Sequence, residues 1–459
     1  MIQTIKALDI SLLRYPFIII YLTVLSVFTF TTESPSIAFF AVILPLFLFR
    51  ITAFSIIVYY ILCILLFFDP YFVSSNWSFL LVPDSVLFLF LFLIIVFRRD
   101  PFLFKIPKSK LLLSLYAFLL YGLILSIKPL LEDTIHPELI RDVKALLHLG
   151  LIIVFLKTDI FQPKKLFFIL FTIVTSSAIY GIVRIIGYYF DGQRVITYNE
   201  MFLSNSIVIA MLLLQTIQKR IIRIILYVSI ICCLLGIIAV QTRSIWGSTL
   251  VSIALFALLY LKRNLKQKPG SVFKTIMALS FFGIASLLVL DWGLQIDVVG
   301  LISNRLGQYS DNELINPFSS MGYRVYESFM VWREMTFFGH GSGATIYLFF
   351  PHFQPPRWLH WWSIHSEYFE ILHKYGIMGL GIFLIFLTAF LVKSFKLMMS
   401  TKSFGSLMGA ISFLSLLNHM IVSITSGHIV RECDAYFIML ILGITEVYSR
   451  SHPQKSSNK

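Results

Sequence analysis

The sequence predicts an all-α, polytopic membrane protein, and three observations carry that expectation. Hydrophobic residues make up 58% of the 459 positions and charged residues only 13%, with a mean hydropathy of +0.86. A soluble core could not shelter so many apolar side chains. The apolar residues fall into about fourteen runs, most of them long enough to cross about 30 Å of hydrocarbon. Lys and Arg gather in short linkers between those runs, and the basic linkers alternate, which is the orientation signal of a membrane protein.

The charge balance and the cysteines exclude other classes. A net charge of +14 invites a nucleic-acid partner, but its placement between apolar runs is that of cytoplasmic loops, not of a basic patch for DNA or RNA. Cys63, Cys232, Cys233 and Cys433 sit in or beside apolar segments with no CxxC spacing and no histidine at ligand spacing, so they indicate no metal site. The first apolar run, 10–30, carries Arg14 and lacks a small-residue cleavage site, which makes it a retained span rather than a signal peptide.

The runs lie near 10–30, 36–49, 52–68, 80–97, 111–127, 144–156, 166–189, 200–217, 222–241, 245–261, 272–290, 375–392, 405–425 and 433–448, so the expected fold has about 12 to 14 transmembrane helices. Basic clusters at Arg98–Lys110, Lys157–Lys165, Lys219–Arg223, Lys262–Lys274 and Lys393–Lys402 mark the inner side. Both termini are then cytoplasmic, and the outer side receives the short turn Gln241–Ser244 and one large loop, 291–374. The membrane domain spans 1–448, and a polar cytoplasmic tail, 449–459, follows it.

The chemistry-bearing residue types concentrate in the stretch from Gly322 to Leu380. Its opening, GYRVYESFMVWREM, has helical spacing, with Tyr323, Tyr326, Met330 and Phe337 able to line one side. Arg324 and Glu327 are three apart and are able to pair on its surface. The glycines of GHGSG, 339–343, end that helix; alternate glycines either supply a turn or present backbone N–H groups to an anion. Phe349, Phe350, Phe353, Trp358, Trp361 and Trp362 crowd a segment that Pro351, Pro355 and Pro356 keep from being one continuous helix. Such aromatics are either interfacial anchors or stacking surfaces for sugar rings or a lipid-linked substrate.

A second helix begins at His365, with 365, 368, 369 and 372 on one face and the favourably oriented pair Glu370–Lys374 on another. A histidine at an extracytoplasmic helix mouth is either structural or a proton acceptor. Arg243 stands in the shortest outer turn with no acidic neighbour in sequence. It either snorkels to the interface or faces inward to bind an anion.

Taken together, the TRS turn with Arg243, the helix GYRVYES, the tryptophan and glycines after it, and HSEYFEILHKYGIMGL leading into a span resemble the O-antigen ligase and O-antigen polymerase superfamily of bacterial membrane glycosyltransferases. The resemblance covers about 200–390 and implies a C-type glycosyltransferase-like fold. It implies Arg243 and Arg324 as ligands of the pyrophosphate of an undecaprenyl-linked glycan donor and His365 as the catalytic base. Arg194, in RVITYNEMFL, is implied as a further ligand. Guanidinium groups suit that task because they stay charged and match phosphate oxygens bidentately.

The function expected from this resemblance is metal-independent transfer of a glycan, without cofactor, at the outer face of the bacterial inner membrane. The acceptor is lipid A core for a ligase or another lipid-linked glycan for a polymerase, and membrane lipids are the remaining partners. The alternative from another class is a polysaccharide or glycolipid transporter or flippase. Transporters place ionisable residues at mid-membrane in both halves, whereas here the polar residues collect in one outer loop.

Overall fold

A computed structural model describes residues 109–131, 137–150, 152, 156, 159–191, 200–240, 242–264, 320–350, 355–361, 363–400, 403–426 and 432–450. The spans expected at 10–30, 36–49, 52–68, 80–97 and 272–290, and Arg194, lie outside the described residues. The described elements run α1 (Lys110–Leu131), α2 (Pro137–Gly150), a 3-10 turn (Asp159–Phe161), α3 (Pro163–Asp191), α4 (Glu200–Leu214), α5 (Arg220–Val240) and α6 (Arg243–Asn264). They continue with α7 (Ser320–Glu334), β1 (Ile346–Phe350), β2 (Arg357–Trp361), α8 (Glu367–Met398), α9 (Ser403–Val422) and α10 (Glu432–Arg450).

Among the described residues five helices, α1, α3, α5, α8 and α9, are long and apolar enough to cross a membrane. In hydrocarbon every backbone N–H and C=O must find its partner within the segment, so long apolar runs of Leu, Ile and Phe become helices despite their β-branched content. Among the described residues the expected helical fold has one addition: an antiparallel hairpin in which Ile346 pairs with Trp361 and Phe350 with Arg357. The prolines that end helical propensity near 351–356 separate its two strands instead. The helix expected near 144–156 starts earlier, at Pro137, and so carries Asp142.

The chain forms two compact units. In the first, α3 packs on α4 and α5. The crossing of α3 and α5 is close enough that a Cβ on Gly181 would lie 2.4 Å from the Cys232 carbonyl oxygen, the small-residue contact on which membrane helices rely. Ser206 donates to Ser177 at 2.8 Å between α4 and α3. Glu200, buried at the start of α4, accepts the Thr242 hydroxyl at 2.6 Å.

In the second unit α8 is central, packing on α1, α7, α9 and α10. Phe118 of α1 meets Phe383 and Tyr375 of α8 with ring centroids 5.1 and 5.8 Å away. Buried Glu446 of α10 gathers Ser109, Lys393 of α8 and Arg450 into one polar cluster. The start of α8 is tied to the end of α9: the Glu367 N–H donates to the Ser423 carbonyl at 3.1 Å, Ser423 donates back to the Glu367 carboxylate at 2.8 Å, and Tyr368 donates to the Met420 carbonyl at 3.1 Å.

Candidate functional site

Helix α8 breaks at Gly376, whose φ of 69° and ψ of −173° are not helical. The break releases backbone groups on both sides, and the glycine loop takes them up. The N–H groups of Ile377 and Met378 donate to the carbonyls of Thr336 and Phe337, while His340 and Gly341 donate theirs to the carbonyls of His373 and Lys374. Gly339 donates to Thr336 Oγ1 at 2.8 Å and Gly343 to Asp142 Oδ2 at 2.7 Å. A Cβ on Gly376 would stand 2.4 Å from Gly339 N, so the two glycines meet because neither has a side chain. Two of the N–H groups of GHGSG, those of His340 and Gly341, thus serve α8 at the kink, while those of Gly339 and Gly343 go to Thr336 and Asp142, so of the two uses open to this loop these four donors serve the turn.

Lys374 is buried and its Nζ lies 2.7 Å from Glu370 and 2.8 Å from Asp142. The i,i+4 pair expected on an open helix face is therefore part of a buried triad that joins α8, α2 and the loop. A buried ammonium holds its charge only with such close anionic partners. Asp142 was legible in sequence only as an acidic residue between two apolar runs.

The loop and the hairpin hold α7 in place. Inward-facing Ile346, Leu348, Phe350, Leu359 and Trp361 of the hairpin join Tyr323 and Val331 of α7, and Ile364 and Leu372 beyond, in one apolar cluster. Tyr326 accepts the Phe349 N–H at 3.2 Å. Tyr323, Tyr326 and Met330 line that side of α7 as the spacing predicts, but Phe337 lies beyond the helix end and is exposed.

Inside this frame sits the pair that the sequence did not reveal. Glu327, fully buried, accepts from His365 twice, from Nδ1 at 2.6 Å and from the backbone N–H at 3.2 Å. Its Oε2 is committed to His365, in place of the surface pairing with Arg324 that the spacing allows. His365 itself precedes α8, with Ser366 at the cap position, rather than beginning the helix. Its side chain remains 44% exposed while that of Glu327 is 1% exposed. A carboxylate only accepts, so in this contact Nδ1 is the donor and Nε2 is the ring nitrogen left for another partner. Tyr323 stands edge-on to the imidazole at 6.1 Å. Burial first, and the Glu327 carboxylate second, raise its phenol far above the usual range, so it stays protonated.

Arg324 is the next residue after Tyr323 on α7, and Arg243 is the first residue of α6; both fall in the same compact unit as His365. Nη1 of Arg243 and Nε of Arg324 are buried atoms. One signal could have found Glu327: it lies four residues from both Tyr323 and Val331, on the apolar face of its helix, where a carboxylate needs a partner.

Residues 228–384, about a third of the chain, match the model of a family described as O-antigen ligase. No curated protein matches the chain. Arg243, Arg324, Glu327 and His365 fall inside the matched residues, and Arg194 falls outside them.

Proposed function

From the premise that the chain carries an O-antigen ligase domain of the O-antigen ligase and polymerase superfamily over residues 228–384, we propose that it moves a glycan from an undecaprenyl-pyrophosphate carrier onto an acceptor hydroxyl at the outer face of the inner membrane. The observation that supports this most is the half-exposed His365 fixed by buried Glu327 on the helix that also carries Arg324.

The chemistry follows from that arrangement. The acceptor hydroxyl gives its proton to Nε2 of His365 as its oxygen attacks the anomeric carbon of the lipid-linked sugar. The bond from that carbon to the pyrophosphate oxygen breaks, and the lipid pyrophosphate leaves with the electron pair. Glu327 orients the imidazole and stabilises the imidazolium that forms. Arg324 and Arg243 hold the pyrophosphate and neutralise the charge that develops on it. The topology that suits this role has the loop 291–374 outside and both termini in the cytoplasm.

A glycolipid gel of a strain lacking the protein tests the function and divides its two forms. Loss of a ligase leaves long lipid-linked polymer and bare lipid A core. Loss of a polymerase leaves core capped with single repeat units. Complementation with His365→Ala reproduces the deletion pattern. An unchanged glycan profile in the deletion strain refutes both forms.

A further inference from the structure

Helix α7 has two apolar faces. The inner one is the cluster around Tyr323 and Val331. The outer one is a stripe of Val325, Phe329 and Trp332, spaced four and three apart and exposed at 48%, 62% and 59%. In water a stripe of this kind is unfavourable, and on a folded protein it marks a contact surface.

The structure indicates what covers it. Just past α7, Phe337 and Phe338 are also exposed, and their backbones are fixed to two membrane-crossing helices. The Phe337 carbonyl accepts the Met378 N–H at 3.1 Å on α8, and the Phe338 carbonyl accepts the Tyr121 hydroxyl at 3.0 Å on α1. At those points the spans turn outward their own apolar side chains, Ile377 and Met378 on α8 and Leu120 and Ile124 on α1. The segment that directly follows the α7 stripe is therefore fixed beside exposed apolar side chains of two helices long and apolar enough to cross a membrane. Beside Trp332 stands exposed Arg333, a cation where anionic headgroups would lie. Aromatic rings and a basic residue flanking an apolar stripe are the composition of a helix lying in the bilayer interface.

We propose that α7 is an interfacial helix: its outer face, Val325, Phe329 and Trp332, rests in the outer leaflet of the bilayer, while its inner face holds Glu327 and His365. Immersion fixes the depth of the site. If the glycan-transfer function holds, the same helix presents Arg324 at the level where a lipid-linked pyrophosphate projects from the membrane, so the donor's phosphates reach the site with its polyprenyl chain still in lipid.

The test reads Trp332 directly. The full chain is placed in nanodiscs of phosphatidylethanolamine and phosphatidylglycerol, with and without phospholipid brominated in the upper acyl chain. Tryptophan emission is quenched by the brominated lipid, and the quenched fraction falls in Trp332→Phe. Moving the ring one turn, with Phe329→Trp on the Trp332→Phe background, restores it. Thermal unfolding confirms that each variant is folded. An unchanged quenched fraction in Trp332→Phe overturns the proposal, as does loss of aqueous iodide quenching in place of bromolipid quenching. So does a Trp332 reached by neither quencher, which places another protein segment on the stripe. The readout needs no turnover, so its failure is separate from failure of the transferase function.

Discussion

Replacing Glu327 by glutamine removes one charge and almost no volume from the centre of the candidate site. Glu327 is fully buried and accepts from both the ring and the backbone of His365, at 2.6 and 3.2 Å. Glutamine still offers one acceptor oxygen, so the imidazole keeps its place. It no longer offers a negative charge to the imidazolium that appears when Nε2 takes the acceptor's proton. A hydrogen bond to a charged group contributes about 1.5–3 kcal/mol and a neutral one about 0.5–1.5 kcal/mol, a difference of about 1–1.5 kcal/mol, and since about 1.4 kcal/mol is a factor of ten in rate, Glu327→Gln lowers turnover by about 10-fold. The contribution grows as the proton arrives, so kcat falls while the KM for the lipid-linked donor stays near its original value. Glu327→Ala costs more, because it also removes the acceptor of both the Nδ1–H and the backbone N–H of His365. The assay is transfer from purified lipid-linked glycan to acceptor by the reconstituted protein, with thermal unfolding run alongside. Wild-type turnover in folded Glu327→Gln refutes the role given to this pair, as does a loss confined to donor affinity.

The arginines fail differently. Arg324→Ala and Arg243→Ala each lose donor binding and turnover together, by on the order of 2–4 kcal/mol of transition-state stabilisation; Arg324→Lys keeps partial activity because it keeps charge without the bidentate fork. Donor binding and turnover measured on the same purified variants check both. Lys374→Met leaves the carboxylates of Asp142 and Glu370 facing each other without their cation, and destabilises the fold by about 3–5 kcal/mol, seen as a lower thermal midpoint in nanodiscs. A cysteine at Ser310 reacts with an impermeant thiol reagent in intact cells, whereas one at Ser451 does not; equal protection of the two overturns the orientation.

Much of the described fold was legible because the bilayer leaves few choices. Runs such as 166–189, 222–241 and 405–425 became α3, α5 and α9 with boundaries within a few residues, since apolar backbone in hydrocarbon has to be helical. The hairpin at 346–361 was not legible as a hairpin. Its aromatic residues and prolines read equally well as an irregular interfacial segment, and only the partner strand supplies the hydrogen bonds that make it a sheet. His365 stands out in the sequence as a candidate, but the pattern misplaces it: a run with helical period extends to 365, while the chain turns helical only from Glu367, where Ser423 holds its first N–H.

What the sequence by itself determined is therefore the membrane class, the helical runs, the family resemblance of the second half and the residue types on which chemistry concentrates. These depend on hydropathy and on local spacing, which are properties of neighbours along the chain. The tertiary structure decided the pairings. Glu327 lies closer in sequence to Arg324 than to His365, yet its Oε2 is given to His365, 38 positions away. Lys374 reaches Glu370 within its own helix and Asp142, 232 positions distant. His340 and Gly341 of the glycine loop give their N–H groups to a kink in α8 that no local pattern announces. A buried charge or a released backbone group takes whichever partner packing brings within hydrogen-bond reach, and which partner that is depends on how distant segments meet in space.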